Sequence, residues 1–376
     1  MNSTLSYEND ERVVLTLDAG GTNFVFSAMQ GNQEIVEPVT LPSNAHDLIL
    51  CLDTIVNGFR EVKANVHTDP VAISFAFPGP ADYPNGVIGD LVNLPSFRGG
   101  VALGPMLERE FHMPVFINND GDLFTYGEAI SGFLPWVNEL LEQHGSPKRY
   151  NNLLGLTLGT GFGAGIVRHG ELFIGDNAAA AEIWSMRNKR FSDSSAEDGV
   201  SIRGIQKAYA RRADLASWKE ISPKDIYDIA LQRKAGDAEA ARQAFHEFAE
   251  IAGDAIANAC ILIDGLVVIG GGLAGAADLF MPHLVDEMNA PLISYEGQSM
   301  PRMESRVYHL DDERHIPGFV RGEAKRVLIP GTRRCVSYDP LKRIGVGLSK
   351  LGTSRAISVG AYAFALHALD SPATAF

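Results

Sequence analysis

The sequence predicts a layered α/β fold of two related halves, on three observations. Apolar runs of strand length alternate with segments of helical period. A strand, a polar glycine-rich turn and a second strand occur at "VVLTLDAGGTNFVF" and again at "LLGLTLGTGFGAGIV". The second copy opens a new series of strands and helices near residue 151, and a chain of 376 residues is long enough for two cores.

Residues 12–29 read as two strands around the turn Asp18–Asn23, and "EIVEPVTLPS" reads as a third. Residues 45–65 have helical period, and "PVAISFAFPGP" is a buried strand ending in a Pro-Gly-Pro loop. "VALGPMLEREF" is a short helix, "MPVFINND" a strand with a polar end, and "GDLFTYGEAISGF" a helix. After 151 come strand, glycine turn, strand, a small turn containing His169, and strand. Residues 203–260 are helical, and "GLVVIGGGLAGAADLFMPHLVDEM" gives strand, glycine turn and helix. Residues 290–350 show no clear period, and the charged run within them at 301–326 reads as a solvated insertion in preference to a phosphate-clamping or oligomer-forming element. "SRAISVGAYAFALHAL" closes the chain as a helix. Superposing the two glycine turns at an offset of 141 sets Gly20 over Gly161 and Thr22 over Gly163.

Composition narrows the function. With 45% hydrophobic and 21% charged residues the chain is an ordinary globular protein. Its 32 Lys and Arg against 46 Asp and Glu leave a net −14, which argues against a nucleic-acid backbone as partner. Cys51, Cys260 and Cys335 are odd in number and far apart, which fits a reducing compartment and gives no metal spacing. The polar, acidic start is no signal peptide, and no apolar run is long enough for a bilayer, so a cytoplasmic protein without a membrane partner is expected.

Three turns carry candidate chemistry. In "DAGGTN", Gly20 and Gly21 offer positive φ and leave space, while their N–H groups, Thr22 and Asn23 offer donors to a phosphate oxygen. Asp18 beside such a phosphate makes sense with Mg²⁺ between them. Taken alone, the same residues also make a structural hairpin turn. "LGTGFGAG" is a second such turn through Gly159, Thr160 and Gly161; it has no Lys and is not a P-loop. "VVIGGGLAG" contains Gly270-x-Gly272-x-x-Gly275 after a strand, the form of a dinucleotide fingerprint, but no clean second strand ending in an acid follows it. Gly270, Gly271 and Gly272 are therefore read as contacts to the nucleoside part of ATP.

In order and separation, "LDAGGTN", "FPGPADYPNGVIGDLVNLPSF", "PVFINNDGDLFTYGE", "LTLGTGFGAGIV" with "GEL", "AAAEI", "EDGVSI" and "VVIGGGLAG" resemble the ROK kinases, a branch of the actin-like/hexokinase ATPase superfamily. The resemblance covers nearly the whole chain. It implies two actin-like, ribonuclease H-like lobes around a cleft, each with a mixed five-stranded sheet. It also implies ATP and Mg²⁺ as cofactors and a hexose as substrate. The lobes are expected at 1–119, with helix 355–376 packing back, and at 120–354, with an insertion near 290–350. Asp120 matches the family's catalytic base; on residue type alone it reads first as an Asx turn or helix cap. Asn93, Asn119, Glu182 and Glu197 match the family's sugar contacts. Here the chain departs from the pattern. Ser185 stands where the G-E-x-G-H motif has His, and "RNKRFSDSSAEDG" replaces the cysteine cluster that holds a structural zinc. No zinc is expected. Trp184 beside Glu182 reads as a sugar-stacking ring or as simple packing. The alternative function is a non-catalytic or sugar-responsive regulatory relative. The family's regulators carry a helix-turn-helix domain before this motif, and only 17 residues precede Asp18. A homodimer is allowed for, and the hexose is not fixed by the sequence.

Overall fold

Val14, Leu15, Thr16 and Leu17 are all buried, so the strand Val14–Ala19 is shielded on both faces and lies inside a sheet. The computed structural model describes residues 7–91 and 96–371. The chain divides into two units, Met1–Gly132 with Gly165–Ala180 and Lys350–Phe376, and Phe133–Ala164 with Ala181–Ser349.

In the first unit a six-stranded sheet has the order Gln33–Glu34, Asn23–Gln30, Val14–Ala19, Ala72–Ala76, Val115–Asn118, with Val39–Pro42 also pairing on Asn23–Gln30. The segment read as one third strand is thus two short ones on either side of Pro38, and they bring the sheet from the expected five strands to six. Val14–Ala19 is antiparallel to Asn23–Gln30 and parallel to Ala72–Ala76, which is parallel to Val115–Asn118. The core holds Phe24, Phe26, Phe59, Phe75, Phe77, Phe97 and Phe111, all buried. Phe26 and Phe59 meet edge to face at 5.2 Å, and Gly58 on helix Leu48–Asn65 leaves room for the Phe26 ring. Helices Asp120–Ile130 and Thr353–Asp370 approach through glycine. A Cβ at Gly360 would collide with the Leu123 carbonyl, and one at Gly127 with the Ala356 carbonyl. Glu128, fully buried, accepts the N–H groups of Lys350 at 3.2 Å and Leu351 at 3.1 Å and so ties the two helices at their far ends.

The second unit contains four parallel strands in the order Asn152–Leu158, Leu266–Gly270, Arg343–Leu348, Arg306–His309. Two of these lie in the segment expected to be an irregular insertion. Arg343–Leu348 is buried from Arg343 to Gly347, and a Cβ at Gly345 or Gly347 would strike Leu310 or Phe133. The segment 290–350 therefore supplies half of these parallel strands, plus helix Ile316–Arg321 and two exposed hairpins, Leu292–Ile293 with Ser299–Met300 and Lys325–Leu328 with Cys335–Tyr338. Helices Ile202–Arg212, Pro223–Ala230, Ala238–Ile263 and Ala277–Asn289 cover the unit. Helix Phe133–Gln143 was not expected from the sequence.

Glu247, buried on helix Ala238–Ile263, pairs with Arg211 at 2.8 Å and Arg212 at 2.5 Å, with Arg190 at 3.4 Å. These partners outweigh its burial and hold its carboxyl below the usual range. The loop replacing the cysteine cluster is closed by Asn188, also buried. Its Oδ1 accepts N–H groups of Arg190 at 2.9 Å and Phe191 at 3.1 Å, and its Nδ2 donates to the Ser195 carbonyl at 3.2 Å. A buried amide thus ties together the loop that stands in place of the family's cysteine cluster. Asn188→Ala strands these backbone groups, so it should lower unfolding free energy by about 2 to 3 kcal/mol in urea titration. A loss below about 0.5 kcal/mol, the scale of an ordinary surface substitution, would contradict that role.

Candidate active site

Register builds the first half of the site. Asp18 pairs with Ala76, and Ala76 pairs with Asn118, so the three lie in one row at the C-terminal ends of parallel strands. Two strand spacings, about 10 Å, separate the outer members. Ligands of α/β sheets bind off such strand ends. Asn119 and Asp120 continue directly from the row into helix Asp120–Ile130.

Asn119 is the N-cap. Its Oδ1 accepts the Gly121 N–H at 2.8 Å, and its Nδ2 donates to the Tyr83 hydroxyl at 3.4 Å. The cap thus belongs to Asn119, which leaves Asp120 as the first helical residue with Oδ1 also near the Gly121 N–H at 2.9 Å. Gly165 lets the strand Phe162–Arg168 approach this helix start, where a Cβ would meet the Gly121 carbonyl and Thr125. Asp120 is exposed as a residue, yet protein groups displace part of the water around its carboxyl. That loss of hydration, with the Asp18 carboxylate nearby, pushes its pKa up against the pull of the Gly121 N–H. Asp18 is in the same state: it reaches solvent, yet partial desolvation raises its pKa. Two carboxyl groups close enough for one to act on the other through its charge suit a divalent cation with its water shell. Among the described residues no cluster of three or more His, Cys, Asp or Glu forms a complete metal cage.

The turn Gly20–Thr22 is held from behind. Ser43 donates its N–H to the Thr22 carbonyl at 2.9 Å and its hydroxyl to the Gly21 carbonyl at 2.7 Å. With the carbonyls so engaged, the N–H groups of Gly20, Gly21 and Thr22 bond no protein acceptor among the described residues. Neither glycine uses positive φ, contrary to expectation. Their value is space. A Cβ at Gly20 would lie 2.8 Å from the Asn23 carbonyl oxygen, and one at Gly21 would meet nothing within 4 Å. Thr22 and Asn23 are exposed beside that opening.

The second turn, Gly159–Gly161, repeats the first with the same length, three residues between strands. Strand ends at Ala19 and Leu158 set the offset at 139 instead of 141, so Gly20 corresponds to Gly159 and Asp18 to Thr157. Gly159 donates to the Gly161 carbonyl at 3.0 Å, and its own carbonyl accepts the Ile202 N–H at 2.9 Å. Thr157 pairs with Gly270, which puts this turn beside Gly270–Gly272. Gly271 has φ 89°, and a Cβ there would collide with the Leu158 backbone, so close packing of adjacent strands requires this glycine. Gly272 faces open space.

Glu197 is placed at this second turn. One oxygen accepts the Phe162 N–H at 3.1 Å, and the other pairs with Arg203 at 3.2 Å. Glu182 is exposed; the Trp184 indole N–H donates to its carboxylate, and the Ser185 hydroxyl donates to its carbonyl at 2.8 Å. Trp184 therefore orients Glu182. Ala181 stands at the first glycine of the G-E-x-G-H motif and keeps a left-handed φ of 61°, which Ala adopts only under strain. Asn93 lies outside the described residues; Asp90 flanks its segment and accepts the Gly99 N–H at 2.7 Å. Tyr83, Ser43 and Arg203 were not foreseen. Tyr83 lies in the "GPADYPNG" stretch, where its signal was an aromatic ring inside a polar loop; its hydroxyl donates to the Phe77 carbonyl at 3.0 Å.

The sequence model of the ROK family matches residues 14–316. A crystal structure of glucokinase from Parabacteroides distasonis is 56% identical, with TM-score 0.89, covering 96% of this chain and 99% of that one. N-acetyl-D-glucosamine kinase of Vibrio atlanticus is 34% identical over 170 residues, 45% of this chain and 51% of that protein, so the chain spans about half of this relative. Glucokinase of Thermotoga maritima is 26% identical over 317 residues, 77% of this chain and 93% of that one.

Proposed function

The chain belongs to the ROK family, and from that premise we propose that it is an ATP-dependent hexose kinase with Asp120 as its base. The observation that carries the assignment of roles is the row Asp18–Ala76–Asn118 running into Asp120 at the strand ends. In the reaction the sugar oxygen forms a bond to the γ-phosphorus, the bond to the β-phosphate oxygen breaks, and ADP leaves. The hydroxyl proton goes to Asp120. Asn119 caps the helix that carries the base and fixes its direction. The unpartnered N–H groups of Gly20, Gly21 and Thr22 receive the phosphate end of ATP, with Asn23 beside them. Thr160 and Gly161 in the second turn, backed by Glu197, take its other phosphate oxygens. Gly270 and Gly272 border the nucleoside. Asp18 would hold Mg²⁺ through its water shell, and that ion, when bound, neutralises phosphate charge. Glu182, aimed by Trp184, and Asn93 grip sugar hydroxyls, with Ser185 as a smaller donor in place of His.

Glucose is the first-choice substrate, because the 56% identical structure is a glucokinase; N-acetylglucosamine is the second. The three free cysteines and the use of ATP fit the cytoplasm, and no described helix is long and apolar enough to cross a membrane. A coupled ADP-release assay over glucose, fructose, mannose and N-acetylhexosamines tests the reading. Mg²⁺-dependent turnover on one hexose is expected, and no turnover on any would sink it.

The raised pKa of Asp120 gives a pH signature. A base works as its carboxylate, so activity is lost as pH falls through the folded pKa. The acid limb of kcat/KM should therefore lie above about 4, the ordinary carboxylate value. A limb at or below that value would remove the raised base from the mechanism.

A further inference from the structure

A cleft of about 630 Å³ opens in the second unit, between the end of helix Ala277–Asn289, the edge strand Arg306–His309 and the start of helix Ile316–Arg321. Clefts of this size hold small molecules. Val285 and Val307 line it and are buried. Asn289 fixes its shape: Nδ2 donates to the Val285 and Val307 carbonyls, both at 3.0 Å, and Oδ1 accepts the Val307 N–H at 2.9 Å. Helix and strand are thereby tied together, and both amide hydrogens of Asn289 are spent. The other polar side chains of the lining keep groups to spare. The Arg306 guanidinium lies over the Tyr308 ring at 5.3 Å and has no carboxylate partner among the described residues. The Tyr308 hydroxyl has no hydrogen-bond partner among them either. His315 accepts the His309 N–H on Nδ1 at 2.9 Å, which puts the ring proton on Nε2, where it meets no protein acceptor. Arg314 is anchored on Asp312 through Nε and Nη2 at 2.5 to 3.1 Å, which leaves Nη1 unused. Asp286 forms no ion pair or hydrogen bond among the described residues.

These unspent groups select the ligand. An apolar occupant would strand them, and a bare cation would face two arginines. The donors call for a group with several acceptor oxygens, and guanidinium forks match phosphate. The lone carboxylate calls for donors on the same ligand, such as hydroxyls. We propose that this cleft is a second small-molecule site and takes a sugar phosphate, with the phosphate on Arg306, Arg314 and His315 Nε2–H and sugar hydroxyls on Asp286. None of its residues belongs to the glycine turns or to the row that leads into Asp120. The assignment rests on the cleft alone and not on the kinase reading.

Hydrogen exchange read by mass spectrometry locates the site, with glucose 6-phosphate as probe and glucose and inorganic phosphate as contrasts. Glucose 6-phosphate should slow exchange in peptides spanning 285–289 and 306–318, half-saturating at or below about 1 mM, an affinity within reach of a few charge-assisted hydrogen bonds. Glucose or inorganic phosphate alone should protect these peptides less at the same concentration. R306E should weaken the protection at least about tenfold, the worth of one charge-assisted hydrogen bond, with kcat/KM for hexose and ATP unchanged. R314Q is the second variant and should act in the same direction; the Arg314 side chain is 85% exposed, so its loss spares the fold. D286N should weaken glucose 6-phosphate about fivefold and leave inorganic phosphate unchanged. Cleft peptides indifferent to glucose 6-phosphate, or protection unchanged in both arginine variants, would overturn the site. Equal protection by inorganic phosphate would mean an adventitious ion only and would overturn the ligand class. Protection confined to peptides of the glycine turns and Asp120 would assign the probe to the active site and overturn the cleft. Cleft protection in a chain without kinase activity would overturn the proposed reaction and leave this site standing.

Discussion

Asp120→Asn is expected to lower kcat by at least about 100-fold while sugar and nucleotide dissociation constants stay within about threefold of wild type. The change removes the proton acceptor and little else. The helix keeps its cap, because Asn119 already accepts the Gly121 N–H at 2.8 Å. A second, opposite effect separates a catalytic residue from a structural one. Partial loss of hydration and the nearby Asp18 carboxylate raise the pKa of Asp120, although the residue is exposed, so ionised Asp120 is less stable in the folded chain than in the unfolded one. Its contribution to stability is fully present below the unfolded pKa and is lost as pH rises through the folded pKa. Asn never ionises. The variant should therefore melt at a higher temperature than wild type at pH 7, and the gain should vanish below the ordinary carboxylate range. A dead enzyme that is also more stable is the mark of strain held for function. Near-normal turnover would end the base assignment, and a lower melting temperature at pH 7 would show that Asp120 serves the fold.

The parts of the site legible in the sequence are those made by neighbours. Asp18, Gly20 and Gly21 lie between two apolar strands, and Asn119 and Asp120 follow "PVFI", so local pattern alone put them at strand ends. Contacts across long separations were not legible. Glu197 bonds Phe162 from 35 residues away, and Ser43 bonds Gly21 from 22 away; neither pairing leaves a periodic trace. The strand Arg306–His309 is four residues long and gains its burial from Arg343–Leu348, its parallel partner. A run that short, whose partner lies beyond an exposed ribbon, offers no period to read. The positive φ expected at Gly20 and Gly21 failed for a different reason. Glycine can mean conformational freedom or missing bulk, and only backbone geometry separates the two.

Gly21→Val is the sharper test of the opening turn, because the protein itself does not oppose it. Gly21 has no left-handed φ, and a Cβ there meets no protein atom within 4 Å. Valine should therefore fold with a melting temperature close to wild type. What it enters is open space at a turn whose Gly20, Gly21 and Thr22 N–H groups bond no protein acceptor among the described residues. A branched side chain there displaces the phosphate end of ATP by more than 1 Å, and a misplacement of that size costs about 100-fold. The loss should appear in kcat/KM for ATP, with sugar affinity in the absence of nucleotide unchanged. Gly20→Val is the contrasting variant: its Cβ would sit 2.8 Å from the Asn23 carbonyl oxygen, so stability should fall along with activity. If Gly21→Val left kcat/KM for ATP intact, the unpartnered donors of this turn would have no phosphate to hold. Loss of activity together with loss of fold would mean that the glycine serves the hairpin alone. Loss of ATP use in a chain that still folds and still binds sugar assigns the turn to the nucleotide, and with it the adjacent Asp18 carboxylate.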